Sequence, residues 1–358
     1  MPLTNSFWLS KKKGKEVWLA PVAQNGQVRF EIRCGKGAVP EGTVARAGAK
    51  CIACGESVPM AHVREEAQAG RMHSQLMAIV AESKSGRIYL EANDEHIKAA
   101  QVDRPEDYPD GEMPQNPCWF SPPMYGLTTY ADLFTNRQLT ALTTFSDLIP
   151  EVQAELRAHG GSQDYSDAVA VYLAFVVDKL ADRNSSICSW DISRDGLRNT
   201  FGRQALPMTW DYAEGNPFSK SSGCFDNMLE WVEKSVQVLP AKSEGKVFQQ
   251  NAAEAHDLQG VVISTDPPYY DNIGYADLSD FFYIWLRRSL KNIYPDVFST
   301  MLVPKKEELI ATPYRFDGSK QAAKEFFESG MAVVCRQLYQ WFECQKSKST
   351  VSSIKNIL

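Results

Sequence analysis

Two periods organise the apolar positions of this chain. Over residues 128–157, Leu133, Phe134, Leu139, Leu142, Phe145, Leu148 and Ile149 fall largely at helical spacing. That pattern predicts a helix which Pro150 kinks or restarts. Residues 165–181 are apolar nearly all round and predict a second helix, buried against a sheet. Met228, Leu229, Val232, Val236 and Leu239 stay in phase over 224–239, a third amphipathic helix. From about Leu278, helical spacing returns in Phe281, Phe282, Ile284, Trp285 and Leu286, and a long last helix runs to Trp341 with Ser319 as its N-cap. Elsewhere the pattern is that of strands. Phe7-Trp8-Leu9, Val17-Trp18-Leu19 and 28–32 are short β pieces between Gly- and Lys-rich turns. Residues 76–81 and 87–90 predict two more, with one helix over 62–69 before them and another starting near Asn93. Val247-Phe248 reads as a short strand, and Val261-Val262-Ile263 as a strand buried on both faces.

The elements add up to a mixed α/β chain. Residues 103–118, DRPEDYPDGEMPQNPC, are rich in Pro, Asp and Glu and read as a linker. The expected organisation is a β-rich segment over 1–60, a small α/β segment with the linker over 61–117, and an α/β domain over 118–358.

Composition narrows this little. The 358 residues are 44% hydrophobic and 23% charged, an ordinary globular balance. No apolar run reaches the roughly 18–20 residues of a membrane span, and Met1 to Ser10 lacks the basic-then-apolar order of a signal peptide, so a cytoplasmic location with no membrane partner is expected. The net charge of -6 does not advertise nucleic-acid binding, but residues 1–60 carry nine Lys/Arg against four Asp/Glu. Lys11-Lys12-Lys13-Gly14-Lys15 is the densest basic run, a solvated turn or a phosphate contact. Of the eight cysteines only Cys51 and Cys54 form a tight pair. Cys51-Ile52-Ala53-Cys54-Gly55 is how a zinc ribbon presents two thiolates, but a structural zinc needs four ligands. Cys34, His62 and His73 are the nearby donors, and none has the spacing of a second knuckle. The sequence thus holds half a zinc site.

The chemistry-bearing stretch is VVISTDPPYYDNIGYADLSDFFYIWL, residues 261–286. A strand ends at Asp266-Pro267-Pro268-Tyr269, because neither proline has an N–H for a ladder. An acid, two prolines and an aromatic then sit at a strand's carboxyl end, where open α/β sheets bind ligands. This set suits an exocyclic amine on a planar base. Asp266 can accept one N–H, the Pro267 carbonyl can accept the other, Pro268 rigidifies the turn, and Tyr269 can stack on the ring. Two acceptors on one NH2 turn the nitrogen lone pair toward an electrophile. Tyr270, Asn272 and Tyr275 follow closely enough to line the pocket. Trp210-Asp211-Tyr212-Ala213-Glu214, with Asn216-Pro217, bounds a cofactor or base pocket, or is an ordinary capped turn. Arg137, on a predicted helix, can reach phosphate or base edges.

The D-P-P-Y stretch resembles the motif of amino-methyltransferases that use S-adenosylmethionine on adenine N6 or cytosine N4. Further blocks resemble the adenine-specific DNA methylases that carry a zinc-ribbon insertion: SFWL at 6–9, the C-x-x-C-G segment 42–55, DLFTNRQL at 132–139, AVYL at 170–173, and segments 210–218, 266–275 and 304–309. The resemblance covers nearly the whole chain. It implies a partial Rossmann-like methyltransferase domain with a zinc-ribbon-like insertion at the N-terminus. It also implies S-adenosylmethionine as cofactor, a structural zinc, and DNA as partner with the target base flipped out. Asp266, Pro267, Pro268 and Tyr269 would be catalytic; Tyr270, Asn272, Tyr275 and Arg137 would contact substrate; Asn251, Asp211, Glu214 and Asn216 would face the cofactor; and Cys51 and Cys54 would hold metal. Departures are equally specific. The family's Gly-rich cofactor loop and the first C-x-x-C of the ribbon have no match, and Asn251 stands where an acid is common. The chain therefore reads as an internal piece of a longer enzyme, whose partners would be the missing parts or a restriction or defence protein. The alternatives are a non-catalytic nucleic-acid-binding piece, or methylation of cytosine N4 or RNA adenine.

Overall fold

The structure is a computed structural model that describes residues 1–84, 86–116, 118–239, 245–254, 261–271, 273–346 and 353–357. It is mixed α/β, 38% helical and 17% strand. The chain divides into two compact units, one formed by Met1–Leu239 with Phe281–Phe298 and the other by Pro240–Asp280 with Ser299–Leu358.

The first unit opens with an antiparallel meander of β1 (Trp8–Ser10), β2 (Val17–Gln24) and β3 (Gln27–Cys34). Asn25 and Gly26 both take positive φ, 53° and 76°, which gives the two-residue turn whose twist matches a hairpin. Alternation then places Phe7, Leu19 and Phe30 together in a small core. β4 (Val44–Ala45), β5 (Gly48–Lys50) and β6 (Ser57–Pro59) form a second small sheet, with the cysteine knuckle in the turn between β5 and β6. Helix α1 (Met60–Gln68) buries Val63 and Ala67 against Ala49 and Tyr125. A hairpin of β7 (Ala78–Ser83) and β8 (Gly86–Glu91) precedes α2 (Asp94–Ala99), where the Asn93 side chain accepts from His96 N at 2.8 Å. Residues 103–118 lie inside this unit, with Met113 and Asn116 buried and Asp110 accepting from Ala131 N at 3.1 Å.

Helix α3 (Asn136–Ala158) starts at a capping box in which Thr135 and Gln138 each accept the other's backbone N–H. It runs through Pro150 without a restart; the ring sits on the exposed side. Ser162 caps α4 (Gln163–Arg183). This helix packs on α3 and on α5 (Phe225–Val238), so its apolar circumference is taken up by helices where a sheet was expected. Between them, β9 (Trp190–Asp191) and β10 (Gly196–Leu197) make a short hairpin over the stretch before Phe201.

β11 (Val261–Thr265) pairs in parallel with β12 (Ser353–Ile357) in the second unit. It is not buried on both faces: Val262 is 45% exposed and Ser264 and Thr265 are open, because β12 is the strand that pairs with it among the described residues. Residues 245–250 carry no strand either, and Val247 is 97% exposed. An isolated pair of apolar residues with no ladder beside it has nothing to hold it extended. Helix α6 (Tyr275–Leu290) contributes its first turns to this unit and its apolar end to the first, where Phe134 stacks on Phe281 at 5.5 Å and meets Trp285 edge-on at 5.5 Å. Helix α7 (Lys320–Lys346) begins where Ser319 Oγ accepts from Ala322 N. Among the described residues no helix is long and apolar enough to cross a membrane.

Candidate functional site

In the second unit, the ladder of β11 stops at Thr265, and Asp266 to Tyr270 form an exposed loop before α6. The Tyr269 hydroxyl donates to Asp266 Oδ1 at 2.9 Å, and its ring is 58% exposed. That bond to a carboxylate pushes the Tyr269 phenol above its ordinary pKa, so it stays protonated and keeps donating. No described residue pairs with the other Asp266 oxygen or with the Pro267 carbonyl. Tyr270 adopts a left-handed φ of 58°, which reverses the chain. Its carbonyl accepts from Ala311 N at 2.9 Å and its ring meets Phe327 edge-on at 5.1 Å, so Tyr270 anchors the loop from below. Tyr275 opens α6 and is half exposed. Asn272 lies outside the described residues. Asn251 is exposed, its Oδ1 accepting from Ala253 N at 2.9 Å and its Nδ2 lying 3.5 Å from Glu254.

The loop rests on a charged frame that sequence reading missed. Asp277 and Asp280, on the first turns of α6, are fully buried. Arg315 Nη2 lies 3.0 Å from Asp277 and 2.7 Å from Glu308, and the Tyr314 hydroxyl donates to Asp277. Glu308 also accepts from Ala276 N at 2.9 Å, which satisfies an orphan donor at the helix start. Lys305 Nζ pairs with Asp280 at 2.6 Å, while Val303 N donates to the same carboxylate at 2.7 Å. Burial pushes the Asp280 carboxyl up, and Lys305 partly offsets it. The frame fastens 303–315 to the helix that follows the Asp266 loop. An i, i+3 pair of acids on an apolar helix face was the available signal, since such acids are buried only when paired.

The remaining candidates lie in the first unit. Arg137 and Glu214 come together as a bidentate pair with both N···O distances 2.7 Å, and Arg137 also donates to the Ala100 carbonyl. Glu214 holds the guanidinium above its ordinary pKa. Asp211 accepts from Thr4 Oγ1, Asn5 N, Asn5 Nδ2 and Ser6 N at 2.8–3.3 Å, so it ties down residues 4–6. Asn216 Oδ1 accepts from Phe218 N at 2.9 Å. Each of these side chains is engaged by its own chain, and a ligand at any of them has to displace that partner. In the basic run, Lys12 pairs with Asp195 at 3.0 Å and Lys11 lies over Trp8 at 5.2 Å.

At the knuckle, Gly55 takes φ 77° and its N–H donates to the Cys51 carbonyl at 2.8 Å. The turn aims the Cys54 and Ala53 N–H groups at the Cys51 sulfur, and these lower its thiol pKa. This is the geometry a metal-bound thiolate uses. The described residues hold no group of three or more His, Cys, Asp or Glu placed to bind a metal, so two zinc donors are present and a closed set is not. The lowered pKa gives a direct expectation. At pH 7, Cys51 should be alkylated by iodoacetamide ahead of the exposed Cys34 and Cys118, as read by peptide mass spectrometry. Faster labelling of either of the others would contradict the knuckle geometry.

No family model, curated protein or solved structure matches the chain.

Proposed function

We propose that this chain carries the base-binding part of an amino-methyltransferase that modifies the N6 amine of adenine in DNA. The observation that carries the reading is the Asp266 loop: a carboxylate oxygen and a proline carbonyl, neither paired by a described residue, beside a half-open tyrosine ring at the end of a strand. The resemblance of the D-P-P-Y stretch and its flanking blocks adds family context, including a partial Rossmann-like domain and a zinc-ribbon-like insertion.

Tyr269 holds Asp266 Oδ1, which fixes the carboxylate and leaves its second oxygen to accept one amine N–H. The Pro267 carbonyl accepts the other, and the rigid Pro267-Pro268 backbone keeps the two acceptors in register. The amine nitrogen then presents its lone pair away from the loop. The exposed Tyr269 ring is placed to stack on a flipped base, a contact worth about 1–3 kcal/mol. S-adenosylmethionine, when bound, supplies the electrophilic methyl group; Asn251 is the candidate contact for it in this unit. Asp211, Glu214 and Asn216, the candidates in the first unit, have in-chain partners as Asn251 does, and a cofactor at any of the four has to displace them.

Two measurements test the reading. Calorimetric titration should show S-adenosylmethionine binding, and nucleoside analysis of treated duplex DNA should show N6-methyladenine. N4-methylcytosine as sole product would move the acceptor to cytosine, and absence of cofactor binding would leave only a nucleic-acid-binding role.

A further inference from the structure

Within the first unit, a cavity of about 310 Å³ opens beside β4 and the start of α1. Its size is at the low end for small-ligand pockets, enough for one nucleotide and far too small for a duplex. Part of the lining is apolar and aromatic. Met60 and Met208 line it with Tyr125 and Trp210, whose rings meet edge-to-face at 4.9 Å. Arg46 and Arg64 add two cations to the lining.

Neither arginine has an acidic partner among the described residues. Asp211, next to Trp210 in the chain, offers none, since Thr4, Asn5 and Ser6 occupy its carboxylate. The Arg64 guanidinium lies over the Tyr125 ring at 5.7 Å. Its Nε is buried and has no hydrogen-bond partner. A buried donor left unpaired is costly, so an acceptor that reached it would gain the full value of the bond. An oxyanion is such an acceptor. Guanidinium groups match phosphate oxygens in a two-point fork, and unpaired cations gain most from a multiply charged anion. The aromatic and thioether part of the lining suits a flat ring.

We propose that this cavity binds a nucleoside phosphate, with Arg64 and Arg46 on the phosphate and Trp210 and Met208 against the base. The ligand is either a free mononucleotide or one residue of a single strand; the two share this chemistry. Neither Asp266 nor Tyr269 lines the cavity.

Titration calorimetry on the full chain tests this with adenosine 5′-monophosphate, adenosine and a six-residue deoxyadenylate strand. The monophosphate should bind, and adenosine should bind about tenfold more weakly or worse, having lost the charge-assisted contacts. Arg64→Gln should weaken monophosphate binding by about tenfold or more. Arg46→Gln, at an exposed position that leaves the fold intact, should weaken it several-fold. It serves as the deciding variant if circular dichroism shows Arg64→Gln to be misfolded. A strand that binds more tightly than the monophosphate identifies nucleic acid as the source; equal or weaker strand binding identifies the free nucleotide. Asp266→Ala should leave all of these affinities unchanged, so failure of the methylation reading does not affect this one. Adenosine binding as tightly as its phosphate, binding indifferent to both arginine variants, or no binding of either phosphate ligand to the wild type overturns the proposal.

Discussion

Replacing Lys305 with methionine is expected to cost about 3–5 kcal/mol of unfolding free energy, the loss typical when one partner of a buried ion pair is removed. Asp280 is fully buried on the first turns of α6, and Lys305 is its cation at 2.6 Å. The methionine keeps the aliphatic stem, so the loss reports the stranded carboxylate and not a packing defect. The sign of the pH dependence follows. Burial already pushes the Asp280 carboxyl up, and without Lys305 it rises further. Above that raised folded value the variant's deficit is full; as pH falls through it toward the ordinary carboxylate range, protonation removes the uncompensated charge and the deficit shrinks. Urea denaturation at neutral and mildly acidic pH measures both effects. Adding Asp280→Leu to the variant should recover much of the loss, since no charge is left buried. A neutral-pH loss of less than about 1 kcal/mol, the range of exposed pairs, would show that the frame beneath the Asp266 loop does not hold it.

That frame also marks the limit of what the sequence conveys. The helices were legible from their apolar positions, and for α7 also from Ser319 as its cap; the caps that start α3 at Thr135 and α4 at Ser162 emerge only in the structure. Strand pieces at 17–19 and 28–32 were legible from their β-branched and aromatic residues, while their extension to a two-residue hairpin at Asn25-Gly26 was not. The Asp266 loop was legible because two prolines stop a strand whatever surrounds it. Partnerships across the chain were not. Arg137 reads as a phosphate or base contact until Glu214, 77 positions away, is seen to grip it. Asp211 reads as a pocket acid, whereas it caps residues at the far end of the chain. The apolar run of β11 reads as a doubly covered strand, because composition does not say how many neighbours a strand has. The same holds for α4, whose apolar surface fits helices as well as it would fit a sheet. The cavity beside α1 gathers residues from five separate stretches of the chain and has no local signature at all.

Asp266→Ala should reduce methyl transfer by about a hundred- to a thousand-fold, the usual effect of deleting one preorganised polar contact at a reacting group. On the proposed reading the variant removes the acceptor for the amine, and it frees Tyr269, whose hydroxyl now donates to Asp266 Oδ1. Because the loop is exposed and Tyr270 holds it through Ala311 and Phe327, the substitution should leave folding intact. Tyr269→Phe separates the two roles: it keeps the stacking face, loses the bond that fixes the carboxylate, and should fall between the wild type and Asp266→Ala. Cofactor affinity should stay level in both, since neither residue is assigned to S-adenosylmethionine. The most direct measurement is the amount of N6-methyladenine formed in duplex DNA by the wild type and by Asp266→Ala at matched, saturating S-adenosylmethionine. The account predicts product with the wild type and almost none with the variant; equal product from both would contradict it.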